Sequence, residues 1–356
     1  MDTNTKISFP LYLPGKQCDN NKNQHVLAVD LRLLETRVAQ YRCVDGNISR
    51  VNEKIYPTKE FSSFTEIAKQ FIADFPGVSY QKASIAVPGP VINGKCETPN
   101  LPWSLDIETI KSNLDIKQVF LVNDLEATAY SIFDFDQSLL DILHTSEDKI
   151  RGNVAILAPG KGLGEAGLFF DGDYLRPFAT EGGHTEFSPR NDFEVQFYQF
   201  LNKIYGIVSW ENVLSKEGIY NIYRFLRDVG RHEEGAELNA RIQNGDFIEV
   251  FAQVGKEKSS RLVNLTLEMY SEFLAREANN LVLKLKATGA LIITGDIPFK
   301  LFELFDKQKF YKYFVVSDRM ENLLKDIPIY IIRNKNGILD GAAYYGAFIE
   351  EHKSSF

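Results

Sequence analysis

The sequence has few of the residues from which metal centres and disulfide frameworks are built. Its 356 residues include three cysteines and five histidines. Cys18, Cys43 and Cys96 lie far apart, with neither the spacing of metal ligands nor an even number for disulfide pairing. The histidines are scattered, so the spacing shows no zinc cluster. This cysteine usage favours a reducing compartment.

Basic residues and long apolar runs are also scarce. There are 40 lysines and arginines against 48 acidic residues, a net charge of -8. Since a nucleic-acid binder normally shows a basic face, we expect no nucleic-acid partner. No apolar run approaches the roughly 18 residues of a membrane helix, and no basic-then-apolar signal segment opens the sequence. We therefore expect a cytoplasmic protein without a membrane partner.

The order of patterns along the chain predicts an α/β protein with mixed sheets. From His25, strand-like segments are joined by an Asp45-Gly46 turn, and strand-helix units follow. The second half repeats this order, with mostly helical periodicity over residues 191–285. We expect two lobes with a cleft between them. The smaller comprises residues 25–124 and about 337–356, the larger comprises 125–336, and residues 1–24 form a tail or strap.

A glycine loop follows the predicted strand at residues 153–158. It reads Pro159-Gly160-Lys161-Gly162-Leu163-Gly164, and with Gly167 it matches the dinucleotide fingerprint G-x-G-x-x-G. That site needs a helix to begin within the motif, whereas LFFDGDYL predicts a strand and a turn. The sequence also lacks a P-loop motif. Successive amides in such a turn can still bind an anion, and the alternative is a tight turn without a ligand.

Polar residues at three places suit a polyhydroxylated substrate. Asn123-Asp124 follows the apolar strand KQVFLV, although a helix cap would use the same residues. In Glu181-Gly-Gly-His184, two glycines let a ligand approach the main chain. Glu211 stands at a predicted helix start, and by itself is typical of a surface carboxylate. A sugar needs a fixed array of donors and acceptors, and one carboxylate can accept the proton of the reacting hydroxyl.

The order of these motifs resembles that of the bacterial glucokinases, in the hexokinase/actin-like kinase superfamily, from about His25 to Gly346. The resemblance implies a two-lobed actin-like (ribonuclease H-like) fold, a homodimer, and glucose or a related hexose as substrate. Val122-Asn123-Asp124-Leu125-Glu126-Ala127 resembles the catalytic segment, with Asp124 as the base that takes the proton of the sugar 6-hydroxyl. The implied sugar ligands are Asn100, Asn123, Asp124, Glu181, His184 and Glu211.

The same resemblance implies ATP and Mg²⁺ as cofactors and a set of nucleotide-binding residues. These are Asp30, Gly160, Lys161, Gly162, Gly164 and Gly295. No direct metal ligand is implied, and Asp30 would act on the metal through water.

The residues implied to bind the phosphoryl donor, ATP, depart from the family pattern. The family's Asp-x-Gly-Gly-Thr is Asp30-Leu31-Arg32-Leu33-Leu34 here, and Lys161 stands where the family has threonine. Ser-Gly-Pro-Gly has become Ser215-Lys216-Glu217-Gly218, and a Gly-Gly has become Gly295-Asp296. The new cations, Arg32, Lys161 and Lys216, either bind donor phosphates directly or pair with Glu35, Glu217 or Asp296.

The function predicted from these residues is a glucokinase-type hexose kinase, which transfers a phosphoryl group from ATP to the 6-hydroxyl of glucose. The alternative is a sugar-binding pseudokinase or regulator with weak or no ATP-dependent activity. It is suggested by a complete set of sugar-binding residues beside altered phosphate loops, because phosphoryl transfer depends mostly on positioning of the phosphates.

Overall fold

Strands open both halves of the chain, and helices dominate residues 192–285. A computed structural model describes residues 7–17, 23–97, 101–146, 151–230 and 232–349. The strands are β1 Asn23–Leu31, β2 Glu35–Val44, β3 Asn47–Pro57, β4 Lys82–Val87, β5 Lys95–Cys96, β6 Leu105–Asp106, β7 Gln118–Asn123, β8 Leu140–His144, β9 Val154–Pro159, β10 Leu163–Phe170, β11 Leu175–Thr180, β12 Ala290–Ile293 and β13 Ile329–Ile332. The helices are α1 Phe64–Asp74, α2 Ile107–Leu114, α3 Asp124–Ser131, α4 Asp192–Tyr205, α5 Glu211–Leu214, α6 Lys216–Asp228, α7 Ala236–Asn244, α8 Phe247–Glu257, α9 Arg261–Leu285, α10 Asp296–Leu301, α11 Lys307–Phe314, α12 Glu321–Lys325 and α13 Gly337–Phe348.

These elements belong to two compact units. The first comprises residues 1–135, 173–179 and 336–356, and the second comprises 136–172 and 180–335. The first unit continues past the predicted boundary at residue 124, because α3 packs against α13. In that packing, the rings of Tyr130 and Tyr345 are 5.1 Å apart.

The sheet of the first unit is mixed, as predicted. Its order is β3-β2-β1-β4-β7, with antiparallel pairs from β3 to β1 and parallel pairs from β1 to β7. The Asp45-Gly46 turn between β2 and β3 has φ of 48° and 77°. Both residues are of types that tolerate this left-handed conformation, which explains why the dipeptide marks the hairpin. Helices α1 and α2 bury Phe71 and Ile110 in a core shared with the strands.

The sheet of the second unit also combines parallel and antiparallel strands. Strands β10-β9-β12-β13-β8 lie side by side, and the three central ones are parallel. Helix α9 is the centre of the core, since Tyr270, Phe273 and Leu274 are buried among strand and helix residues. It also buries two charged residues, Arg276 and Glu277. Burying a charge is costly unless it is paired or neutralised, so both residues need partners.

The amino-terminal segment forms a strap within the first unit. Leu11 bridges to Leu175, and the Tyr12 amide donates to the Leu175 carbonyl at 3.0 Å. The Arg176 guanidinium lies over the Tyr12 ring, 3.7 Å from its centroid. Within residues 7–17, the predicted tail or strap is therefore held at Leu11 and Tyr12 by backbone contacts.

A membrane-spanning helix must be both long and predominantly apolar. Over the described ranges, no helix combines the length and the apolar character that would be needed to cross a membrane.

Candidate functional site

In the first unit, three predicted site residues lie at one edge of the sheet. Strands β1, β4 and β7 are parallel neighbours, and Asp30 pairs in register with Ala86 while Asn123 pairs with Val87. Because the carboxyl ends of parallel strands share an edge, Asp30, Asn123 and Asp124 are brought to the same edge. This is where open α/β sheets bind ligands.

Asn123 caps a helix, as the alternative interpretation predicted. Its Oδ1 accepts hydrogen bonds from the amides of Leu125 and Glu126, and its Nδ2 donates to the Gly89 carbonyl at 3.2 Å. Asp124 is the first residue of α3 and is partly exposed. The cap thus fixes the direction in which α3 leaves the strand, and with it the position of Asp124.

Asp30 is buried, with 1% of its surface exposed, and is paired with Arg32. The Arg32 Nε lies 2.9 Å from Oδ1 and 3.1 Å from Oδ2. The guanidinium therefore supplies the positive charge that a buried carboxylate needs. Asp30 is not among the partners predicted for Arg32.

In the second unit, the glycine loop joins β9 to β10 without a helix, as expected, which excludes the dinucleotide fold. The Gly160 amide donates to the Gly162 carbonyl at 2.8 Å, and the Lys216 amide donates to the Gly160 carbonyl at 2.7 Å. Gly295 has φ of 99°, and a Cβ there would lie 2.7 Å from the Pro159 carbonyl oxygen. The structure therefore places the loop, Gly295 and the start of α6 together.

Two of the three new cations, Arg32 and Lys216, form ion pairs with carboxylates. Lys216 pairs with Asp246 at 2.7 Å, rather than with a predicted partner in its own loop. Lys161 is exposed on the glycine loop, where it forms no ion pair with a described residue. The carboxylate of Asp296 faces the loop, 3.9 Å from where a Cβ on Gly160 would stand.

The segment Glu181–His184 forms a tight turn, with a short 3₁₀ helix over Gly182–His184. The side chains of Glu181 and His184 are exposed, whereas Gly183 is buried. A Cβ on Gly183 would lie 2.1 Å from the Leu163 carbonyl oxygen. The second glycine is therefore required because the turn lies directly on β10.

Glu211 connects this turn to the glycine loop. It begins α5, as predicted, and its Oε2 accepts a hydrogen bond from the Leu163 amide at 3.0 Å. The Trp210 amide donates to the Thr185 carbonyl at 2.9 Å, one residue beyond the turn. Glu181, His184, Glu211 and the glycine loop thus form one cluster in the second unit.

Asn100 lies outside the described residues. Nearby, the Trp103 indole donates to the Phe61 carbonyl at 3.1 Å, which anchors the segment that follows.

Two largely buried carboxyl groups, one in each unit, lie near predicted site residues and were not identified from the sequence. Burial raises the pKa of Glu126, two residues after Asp124, to about 7. Burial and the charge of Glu277 raise the pKa of Glu165, which lies under the Glu181–His184 turn. Glu126 belongs to the catalytic-segment motif, but nothing in the sequence indicates that either carboxyl is buried.

Metal ions in proteins are commonly held by groups of His, Cys, Asp or Glu side chains. Within the ranges that the structure describes, no group of three or more His, Cys, Asp or Glu side chains is arranged to hold one. Both oxygens of Asp30 already accept from Arg32. Mg²⁺ in phosphate sites keeps several of its waters, so the Mg²⁺ that the resemblance implies does not require such a group of side chains.

Comparisons with known proteins agree with the resemblance. The family model for glucokinase matches residues 28–348. The glucokinase of Trichormus variabilis is 33% identical over 317 residues, which cover 85% of this chain and 92% of that protein. The structure of Balamuthia mandrillaris glucokinase in complex with glucose has a TM-score of 0.76 at 20% identity, covering 94% of this chain and 96% of that one.

A more distant structure has the same α/β fold. It is a ROK family glucokinase from Streptomyces griseus in complex with glucose and AMPPNP, with a TM-score of 0.59 at 13% identity, covering 90% of this chain and 99% of that one. The extent of the family match, together with the motifs placed above, establishes the assignment. The chain belongs to the glucokinase family.

Proposed function

We propose that the protein transfers the terminal phosphoryl group of ATP to the 6-hydroxyl of glucose. The observation that carries this proposal is the family match over residues 28–348, within which Asp124 opens α3 at the carboxyl end of a parallel strand. The relatives are named as glucokinases, which supports the kinase over the pseudokinase alternative.

Asp124 is the proposed general base. It accepts the proton of the sugar hydroxyl as that oxygen attacks the phosphorus atom, and the bond to the leaving ADP oxygen breaks. Asn123 holds Asp124 by capping α3. The Asn123 Nδ2 carries two hydrogens, and one of them is donated to the Gly89 carbonyl. The other is proposed to bind a sugar hydroxyl.

The sugar hydroxyls are bound by the exposed turn and by Glu211. Carboxylates accept hydrogen bonds from hydroxyls, and an imidazole can donate or accept. Glu181 and His184 are separated by two glycines that fix the turn on β10, so their side chains start from a defined backbone. Asn100 is proposed as a further sugar ligand from the family motif alone.

The donor phosphates are proposed to bind at the glycine loop. Lys161 offers an exposed ammonium there, while Arg32 and Lys216 are occupied by Asp30 and Asp246. Mg²⁺ bound to the phosphates would neutralise charge that develops during transfer. Gly160, Gly162, Gly164 and Gly295 shape the backbone near this cation.

A lysine substitution tests this donor site. We expect Lys161→Ala to raise the KM for ATP about tenfold, because a charge-assisted hydrogen bond to phosphate is lost. The affinity for glucose, measured by calorimetry without nucleotide, should stay unchanged. Lys216→Ala is the matched control, since its ammonium already pairs with Asp246. Equal effects of the two substitutions on KM would contradict a specific role for Lys161.

Ligand-induced stabilisation separates the two candidate functions. A ligand that binds only the folded state stabilises it by about 2.7 kcal/mol at roughly 100 times its Kd. We expect thermal unfolding to shift upward with glucose and, separately, with Mg-ATP. A shift with glucose and none with Mg-ATP would support the pseudokinase instead. If no hexose shifts the transition, the sugar assignment is wrong.

The resemblance also implies a homodimer, and we propose that the protein assembles as one. Light scattering coupled to size exclusion tests this directly, with twice the chain mass of 40.5 kDa as the expected result. A monomer at every accessible concentration would contradict it.

A further inference from the structure

Two buried carboxyl groups lie beneath the Glu181–His184 turn. Glu165 on β10 is 1% exposed and Glu277 on α9 is fully buried. No N–H or hydroxyl donor of the described residues bonds to either oxygen of Glu165. The hydrogen-bonding group that faces it is the carboxyl of Glu277. Because two adjacent carboxyls cannot both ionise away from water, the pair holds a shared proton.

The surroundings determine which carboxyl carries that proton. Burial raises the pKa of Glu277 as well, but this carboxyl accepts from the Asn280 Nδ2 at 2.8 Å and from the Lys284 Nζ at 3.4 Å, and both contacts favour its ionised form. Glu165 has no comparable donor, and burial together with the charge of Glu277 raises its pKa. Lys284 is the cation that opposes this shift. We therefore expect Glu165 to be the neutral partner, with its proton directed at Glu277.

The Glu165 side chain lies directly against the backbone of the turn. A Cβ on Gly182 would lie 2.0 Å from Glu165 Oε2 and 2.9 Å from its Cδ. Thr180 adds a second connection, because its hydroxyl donates to the Glu165 carbonyl at 3.0 Å and accepts from the Gly182 amide at 3.2 Å. The first glycine of the motif thus makes room for a buried carboxyl group.

We propose that Glu165 is a positioning residue for the sugar-binding turn. Its neutral carboxyl, seated on Glu277, supports Gly182 and so fixes the backbone from which Glu181 and His184 project. Loss of the proton to solvent places two negative charges side by side under the turn and displaces it, so sugar affinity falls at alkaline pH. The identity of the ligand as a hexose rests on the proposed function.

The test compares glucose affinity across pH in three variants of the full chain. We expect wild-type affinity, measured by calorimetry, to fall about tenfold from neutral to alkaline pH, as misplacement of binding groups by a displaced turn implies. Glu165→Gln keeps the shape and donates an N–H to Glu277, so it should bind as wild type at neutral pH and lose no affinity on alkalinisation. Glu165→Ala should bind about tenfold more weakly at both pH values, with kcat nearly unchanged.

Glu272→Gln is the matched control, because this α9 carboxyl also has a pKa raised by burial but faces Glu194 and Arg276. It should keep the alkaline loss. Identical pH profiles for wild type and Glu165→Gln would overturn the proposal, and that comparison stands even if Glu165→Ala fails to fold.

Hydrogen exchange separates this proposal from the sugar assignment. In the absence of any ligand, amides of residues 181–185 in wild type should exchange faster at alkaline pH than the intrinsic rate increase explains. Glu165→Gln should abolish that excess. If the excess is present but no hexose binds, the proposed function fails while the positioning role of Glu165 holds. If glucose binds but wild type and Glu165→Gln exchange alike, the positioning role fails.

Discussion

Asp124→Asn should lower kcat for glucose phosphorylation by a factor of about 10² to 10⁴, the range that general-base catalysis contributes. The amide cannot accept the hydroxyl proton, yet it has nearly the shape of the carboxylate. The helix cap from Asn123 does not use the Asp124 side chain, so α3 should still form. The affinity for glucose should change little in comparison, and steady-state kinetics with calorimetric binding will separate the two effects.

Asp192→Asn is a matched control for this substitution. Asn191-Asp192 repeats Asn123-Asp124 at the start of α4, with Asn191 as the cap and Asp192 as the exposed first helical residue. It reproduces the loss of a first-turn charge, which costs about 0.3–1 kcal/mol. Its kcat should equal that of wild type. If Asp124→Asn retains more than about a tenth of wild-type kcat, Asp124 is not the base.

Arg276→Met should destabilise the second unit by about 3–5 kcal/mol, because it leaves a buried charge without its partner. Arg276 Nη1 lies 2.7 Å from Glu194 Oε2, and the two side chains are 3% and 5% exposed. Arg276 Nη2 also donates to the Ser188 carbonyl at 2.7 Å. Denaturant unfolding measures the loss, and we expect lower glucose affinity as well, since Ser188 lies shortly after the sugar-binding turn.

The charge left on Glu194 provides the internal check. The double variant Arg276→Met/Glu194→Gln should recover part of the lost stability, because a neutral amide costs less to bury than an unpaired carboxylate. Arg319→Met, at an exposed arginine, should change stability by no more than about 0.5 kcal/mol. A loss below about 1 kcal/mol in Arg276→Met would show that the pair is not needed.

Local features of this fold were predictable from the sequence because their causes are local. Asp45-Gly46 gave the hairpin through its backbone conformation, and Glu211 was placed correctly at a helix start. The strand after the glycine loop was also predicted, since the apolar residues and the Asp-Gly turn that follow the loop are typical of a hairpin rather than a helix. The candidate base and the sugar-binding turn came from the resemblance to the family, and their roles stay predictions.

Contacts between distant residues were not predictable in the same way. Glu165 and Glu277 come from a strand and a helix far apart in the chain, and the charge of each suggests exposure rather than burial. Arg276 and Glu194 are 82 positions apart. The predicted partners of the new cations were sought in their own loops, whereas Lys216 reaches Asp246 at the start of α8. Only the packed fold decides such pairings.

Turnover by the wild-type protein decides whether it is a glucose kinase. With glucose and Mg-ATP, we expect hexose 6-phosphate and ADP in equal amounts, dependent on glucose, at about 1–100 s⁻¹ as is typical of kinases. Glucose binding without any glucose-dependent ADP release would contradict it, and would identify the protein as a sugar-binding member of its family that has lost phosphoryl transfer.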